Sequence, residues 1–166
     1  MRLMSLADAY RTIILDHNRA PRRRGQLQAP TSCVEGINAL CGDRLSLELK
    51  VEAECLVEFA FSGEASALTL AATSMMGDLV AGQPLTVVGD LIEAALDLLT
   101  CNPEQRSNTR LGDFNVFIGV LAYPNRIKTV TLPWATLAGA LAGRARTSTD
   151  NEMRGAVAPA PKRKVS

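Results

Sequence analysis

Ala39-Leu40-Cys41-Gly42-Asp43 sets a thiol and a carboxylate on either side of a single glycine. Cys41 offers a nucleophilic sulfur or a soft metal ligand, Gly42 permits a sharp bend, and Asp43 adds a hard oxygen donor. The chemistry within reach is metal coordination or sulfur-centred transfer, and in both the working species is the thiolate. Three more cysteines, Cys33, Cys55 and Cys101, are scattered along the chain without a C-x-x-C pair. Their number and spacing define no disulfide framework in 166 residues, so free thiols are expected. Cys55, among apolar neighbours at a strand start, reads as a small buried hydrophobe.

The elements that must hold these groups follow from periodicity. Leu6, Tyr10, Ile13, Ile14 and His17 recur at helical spacing over residues 5–17. His17 on that helix is expected to pack or cap rather than ligate. Residues 18–30 form a loop broken by Pro21, Gly25 and Pro30. It carries Arg19, Arg22, Arg23 and Arg24, read as a solvated run, with an anionic docking surface as the sharper alternative. Residues 44–52 alternate apolar and polar as a half-buried strand does. Cys55 to Phe61 forms a second strand, and the short Ala53-Glu54 link implies an antiparallel hairpin. A weaker strand pattern lies near 31–37.

Helices are expected over 65–81, 87–100 and 111–121, and a last one from Asn125 or Thr131 to Ala142 with Pro133 near its first turn or at a kink. Met75-Met76 and Trp134 read as core packing. After Gly143 the composition turns polar, with Pro159, Pro161 and a Lys162-Arg163-Lys164 cluster. Residues 1–143 are therefore expected to form one domain and 144–166 a disordered basic tail.

Bulk properties exclude several classes. Net charge is +1 and aromatic content 4%, which supports neither nucleic-acid binding nor attraction to an anionic membrane. No apolar run reaches the roughly 20 residues a spanning helix needs. A cytoplasmic protein is expected, because Asp8 and Arg11 interrupt any early signal-like stretch.

The Cys41-Gly42-Asp43 turn does not stand alone. Upstream lie Tyr10, Asp16-His17, Pro21-Arg22 and Gly25; downstream lie Gly63-Glu64 and Tyr123-Pro124-Asn125-Arg126-Ile127-Lys128. In this order over residues 6–142 they resemble the SufU/IscU family of iron–sulfur cluster assembly proteins, most closely its SufU branch. The resemblance implies an α+β fold: a small antiparallel β-sheet covered on one face by helices. It implies a cysteine desulfurase as partner and Cys41 as the acceptor of its sulfur, with Arg126 in support. It also implies zinc held by three cysteines and an aspartate. Cys41 and Asp43 match two of those ligands, but Ser66 and Thr129 stand where the family carries its other cysteines.

An alcohol hydroxyl is a poor zinc ligand at neutral pH, so two of four ligands are expected to hold no tightly bound metal, and at most weak zinc or iron. Cys33, eight residues before Cys41, or Cys101 would have to rebuild the site. Three readings follow: a sulfur acceptor with a degenerate site, a docking module that regulates the desulfurase without sulfur transfer, and a metal site remade with Cys33.

Overall fold

The computed structural model describes residues 5–100 and 107–149. Helix α1 (Leu6–Arg19) starts on a reciprocal cap, with Ser5 Oγ accepting the Asp8 N–H and the Asp8 carboxylate accepting the Ser5 N–H. The Ser5 hydroxyl also donates to the Asp8 carboxylate at 2.7 Å, which holds the Asp8 carboxyl below its ordinary range. Three strands follow: β1 (Ser32–Asn38), β2 (Asp43–Glu52) and β3 (Cys55–Glu64). Helix α2 (Ala67–Val80), the two-residue β4 (Gln83–Pro84) and helix α3 (Leu85–Thr100) come next. A 3-10 segment (Thr109–Val120), helix α4 (Pro124–Leu141) and β5 (Arg146–Ser148) complete the described chain.

The sheet order is β4-β3-β2-β1-β5. All neighbours are antiparallel except β1 and β5, which run parallel. Alternation sends Val34, Gly36 and Asn38 of β1, and Asp43, Leu45, Leu47 and Leu49 of β2, to the buried face. There they meet the helical layer, whose largest buried side chains include Trp134, Phe114, Phe117 and Met76. Trp134 packs edge-on against Phe114 at 5.4 Å between centroids, the expected core role. Met75 and Met76 are likewise core residues.

Two sequence expectations need correction. Residues 111–121 do not form one α-helix. Gly112 adopts φ 51°, ψ −129°, and the Asn115 side-chain amide donates to the carbonyls of Asn108 and Gly112. These local bonds offer the backbone an alternative to the helical ladder. The domain also runs past Gly143. Arg146–Ser148, placed in the tail by composition, pairs with Glu35–Ile37, and Thr149 donates its N–H to the Ile37 carbonyl at 3.2 Å. Residues 150–166, and Cys101, lie outside the described residues.

The β2–β3 hairpin turns through Ala53 and Glu54 with φ of 49° and 58°. Both are left-handed conformations that favour Asn and Gly in a two-residue turn. Ala53→Asn with Glu54→Gly should therefore stabilise the protein by about 1 kcal/mol, read as a raised urea midpoint at unchanged slope.

Helix α4 is held close to β1 because Gly36 has no side chain. A Cβ there would run into the Thr136 hydroxyl. This approach fixes the helix over the strand and carries its first turns, with Thr129, toward the 39–42 turn.

Candidate functional site

Cys41 lies in the turn between β1 and β2. The Gly42 N–H donates to the Ala39 carbonyl at 3.2 Å, and Gly42 takes a positive φ of 70°, which suits glycine. The thiol is exposed, while the neighbouring Asp43 is only 1% exposed. Sγ lies 3.4 Å from Thr129 Oγ1. The Thr129 hydroxyl donates to the Asn125 carbonyl at 3.0 Å, so its lone pairs face the thiol, which donates in the neutral state.

Asp43 is committed elsewhere. One carboxylate oxygen accepts the Ser66 backbone N–H at 2.7 Å, and the other accepts the Thr69 hydroxyl at 2.7 Å. Ser66 caps α2, its hydroxyl lying 3.0 Å from Thr69 Oγ1. Helix α2 has no acidic residue in its own first turn, so Asp43 supplies the negative charge its N-terminus favours. Thr69 also lies 3.3 Å from the Thr129 carbonyl. That carbonyl is left open because Pro133, four residues on in α4, has no N–H to return to it. Positions 41, 43, 66 and 129 thus meet at one end of the sheet, with Thr69 linking them.

Arg126 is exposed on the first turn of α4, its guanidinium 4.7 Å above the Tyr123 ring. It does not pair with Asp43, whose oxygens already hold Ser66 and Thr69. Its charge is felt at Tyr10, where burial raises the phenol above its ordinary value and Arg126 pulls it back.

Cys33 is no neighbour of this site. It lies five positions before Asn38 on the outer sheet face opposite Glu48, about 17 Å along a strand rising roughly 3.3 Å per residue. Cys55 is half-buried, its thiol donating to the Gly82 carbonyl at 3.5 Å. His17 is buried with Nδ1 2.8 Å from Ser74 Oγ, the structural role expected of it. The arginine loop is tied inward at two points. Arg22 bonds Asp16 at 2.8 Å, and Arg22 and Arg23 each reach Asp78 at 3.7 Å. The Arg22 bond holds the Asp16 carboxyl below its usual range.

Two residues of the site escaped sequence reasoning, Thr69 and Asn38. Thr69 was readable only as the third residue after a serine cap; Asn38 only as the last inward position of an alternating strand.

The sequence profile of the NifU-like N terminal domain matches residues 9–130. The chain is 31% identical over 133 residues to the zinc-dependent sulfurtransferase SufU of Bacillus subtilis, covering 80% of this chain and 89% of that protein. It is 30% identical over 141 residues to the iron–sulfur cluster assembly scaffold protein IscU of Streptococcus pyogenes, covering 85% and 87%. The crystal structure of a putative SUF-system scaffold protein from Fervidobacterium islandicum superposes with a TM-score of 0.70 at 25% identity, over 76% of this chain and 91% of that one. The chain belongs to the NifU-like N-terminal domain family, and its fold is the α+β fold of the SufU and IscU proteins.

Zinc, which the name of the Bacillus relative implies, does not fit the residues present. Among the described residues no three His, Cys, Asp or Glu side chains are grouped to hold a metal ion. This end of the sheet offers one thiol, the three alcohols of Ser66, Thr69 and Thr129, and a carboxylate whose oxygens accept hydrogen bonds from α2 and its cap.

Proposed function

We infer that this chain is an iron–sulfur cluster assembly protein of the cytoplasm that docks onto a cysteine desulfurase and accepts its sulfur at Cys41. The observation that carries this reading is the exposed thiol of Cys41 beside the Thr129 hydroxyl. A sulfur acceptor needs an accessible sulfur that can ionise and attack. No metal has to be displaced before Cys41 reacts, because the donor set does not fit one. Relatives named as a sulfurtransferase and as scaffold proteins support the same assignment.

A regulatory reading is favoured by a different observation: Asp43, Ser66 and Thr69 satisfy one another, as a site retired from ligand binding would. One experiment separates the two. The full chain is incubated with a cysteine desulfurase and cysteine, alkylated and mapped by mass spectrometry. Sulfur acceptance predicts a persulfide on Cys41, abolished by Cys41→Ser and absent from Cys33. A stable complex without persulfide would replace it with the regulator.

A further inference from the structure

Asn38 is fully buried, and among the described residues neither its Nδ2 nor its Oδ1 meets a hydrogen-bond partner. Native folds rarely leave both ends of a buried amide unpaired, and such groups often belong to function. Its position is specific. Asn38 ends β1 directly opposite Asp43, on the buried face, and the turn carrying Cys41 starts from it. Side chains opposed in this way stand side by side. Asp43 accepts the Ser66 N–H and the Thr69 hydroxyl, and its carboxylate is not bonded to the Asn38 amide. The Thr129 hydroxyl donates to the Asn125 carbonyl and meets the Cys41 thiol. Among the described residues, the buried side-chain N–H donor without a partner at this end of the sheet is that of Asn38.

We propose that Asn38 is a positioning residue for sulfane sulfur carried on Cys41, its amide N–H groups donating to the outer, anionic sulfur of the persulfide. This rests on the reading of Cys41 as a sulfur acceptor. In the loading step the Cys41 thiolate attacks the outer sulfur of a donor persulfide. The new Sγ–S bond forms as the donor S–S bond breaks, and the donor cysteine leaves as a thiolate. One sulfur atom moves with no net oxidation. The outer sulfur then ionises, giving its proton to the departing thiolate or to water. Oriented N–H donors help to hold the remaining charge. Asn38 and Cys41 share one short turn, with only Ala39 and Leu40 between them.

The test uses the full chain loaded by glutathione persulfide, which bypasses any desulfurase. Survival of the Cys41 persulfide against cyanide, which removes the outer sulfur as thiocyanate, is followed by mass spectrometry. Asn38→Ala and the near-isosteric Asn38→Asp should lose the sulfur about tenfold faster than the native chain, the scale of one lost hydrogen bond. Alkylation of unloaded Cys41 should change less than about twofold, since a merely structural loss would alter both rates. Thr149→Val removes another buried polar group without a partner among the described residues, the hydroxyl just after β5, and should leave sulfur survival unchanged. Asn38→Ser serves where the alanine variant does not fold, and should fall between. Equal survival in the native chain and the folded Asn38 variants would overturn the role of Asn38 alone. A native chain that takes sulfur neither from glutathione persulfide nor from a desulfurase would overturn the acceptor reading, and this one with it.

Discussion

Asp43→Ala should lower the free energy of unfolding by about 3 kcal/mol, because it deletes the acceptor of the buried Thr69 hydroxyl and of the part-buried Ser66 N–H at once. The Ser66 N–H and the Thr69 hydroxyl each lie 2.7 Å from a carboxylate oxygen, and the carboxylate is 1% exposed. Hydrogen bonds to an ionised acceptor are worth about 1.5–3 kcal/mol each, and the charge also complements the N-terminus of α2. Asp43→Asn keeps the volume but turns an amide nitrogen toward one of two donors, so it should recover about half of the loss. Urea unfolding at neutral pH reads both variants. A loss under about 1 kcal/mol for the alanine variant would mean that the carboxylate is not the anchor of α2 and is free to ligate.

This double duty of Asp43 shows where sequence reasoning stopped. The motif placed a carboxylate next to Cys41 and matched Ser66 and Thr129 to distant positions, and the fold brings all four to one end of the sheet. It could not tell which atoms the carboxylate would face. That depends on the pitch of α2 against β2 and on Thr69, a residue with no pattern to mark it. Strands β2 and β3 were legible because Leu45, Leu47 and Leu49 alternate with polar residues, so burial on one face dictates their period. Strand β5 was not, because Arg146-Thr147-Ser148 carries no large apolar side chain. Its pairing is made by backbone hydrogen bonds to β1 and by Thr147 fitting over Gly139, where a Cβ would meet the Thr147 hydroxyl. Both are long-range consequences of where α4 ends. The break at Gly112 was hidden for the opposite reason: Leu111 to Leu121 looks helical in composition, and asparagine side chains a few residues apart decide otherwise.

Restoring two thiols should restore the metal. Ser66→Cys with Thr129→Cys would surround one space with three sulfurs and a carboxylate, the tetrahedral donor set that zinc takes with thiolate bonds near 2.3 Å. Thr129 already lies against Cys41 at 3.4 Å, and Ser66 against Asp43 through its backbone N–H at 2.7 Å. The substitutions carry costs. The Ser66 hydroxyl leaves its cap position on α2, worth about 1 kcal/mol, and one Asp43 oxygen must give up Thr69. Zinc binding to such a site yields roughly 10 kcal/mol or more, so binding prevails and adds to stability by mass action. The double variant should retain stoichiometric zinc through dialysis and bind it at least about a thousandfold tighter than the native chain in competition with a chromophoric chelator. Its unfolding midpoint should rise on adding zinc, and Cys41→Ala in the same background should remove both effects. A double variant that folds yet holds no more zinc than the native chain would show that these four side chains do not point into a common space.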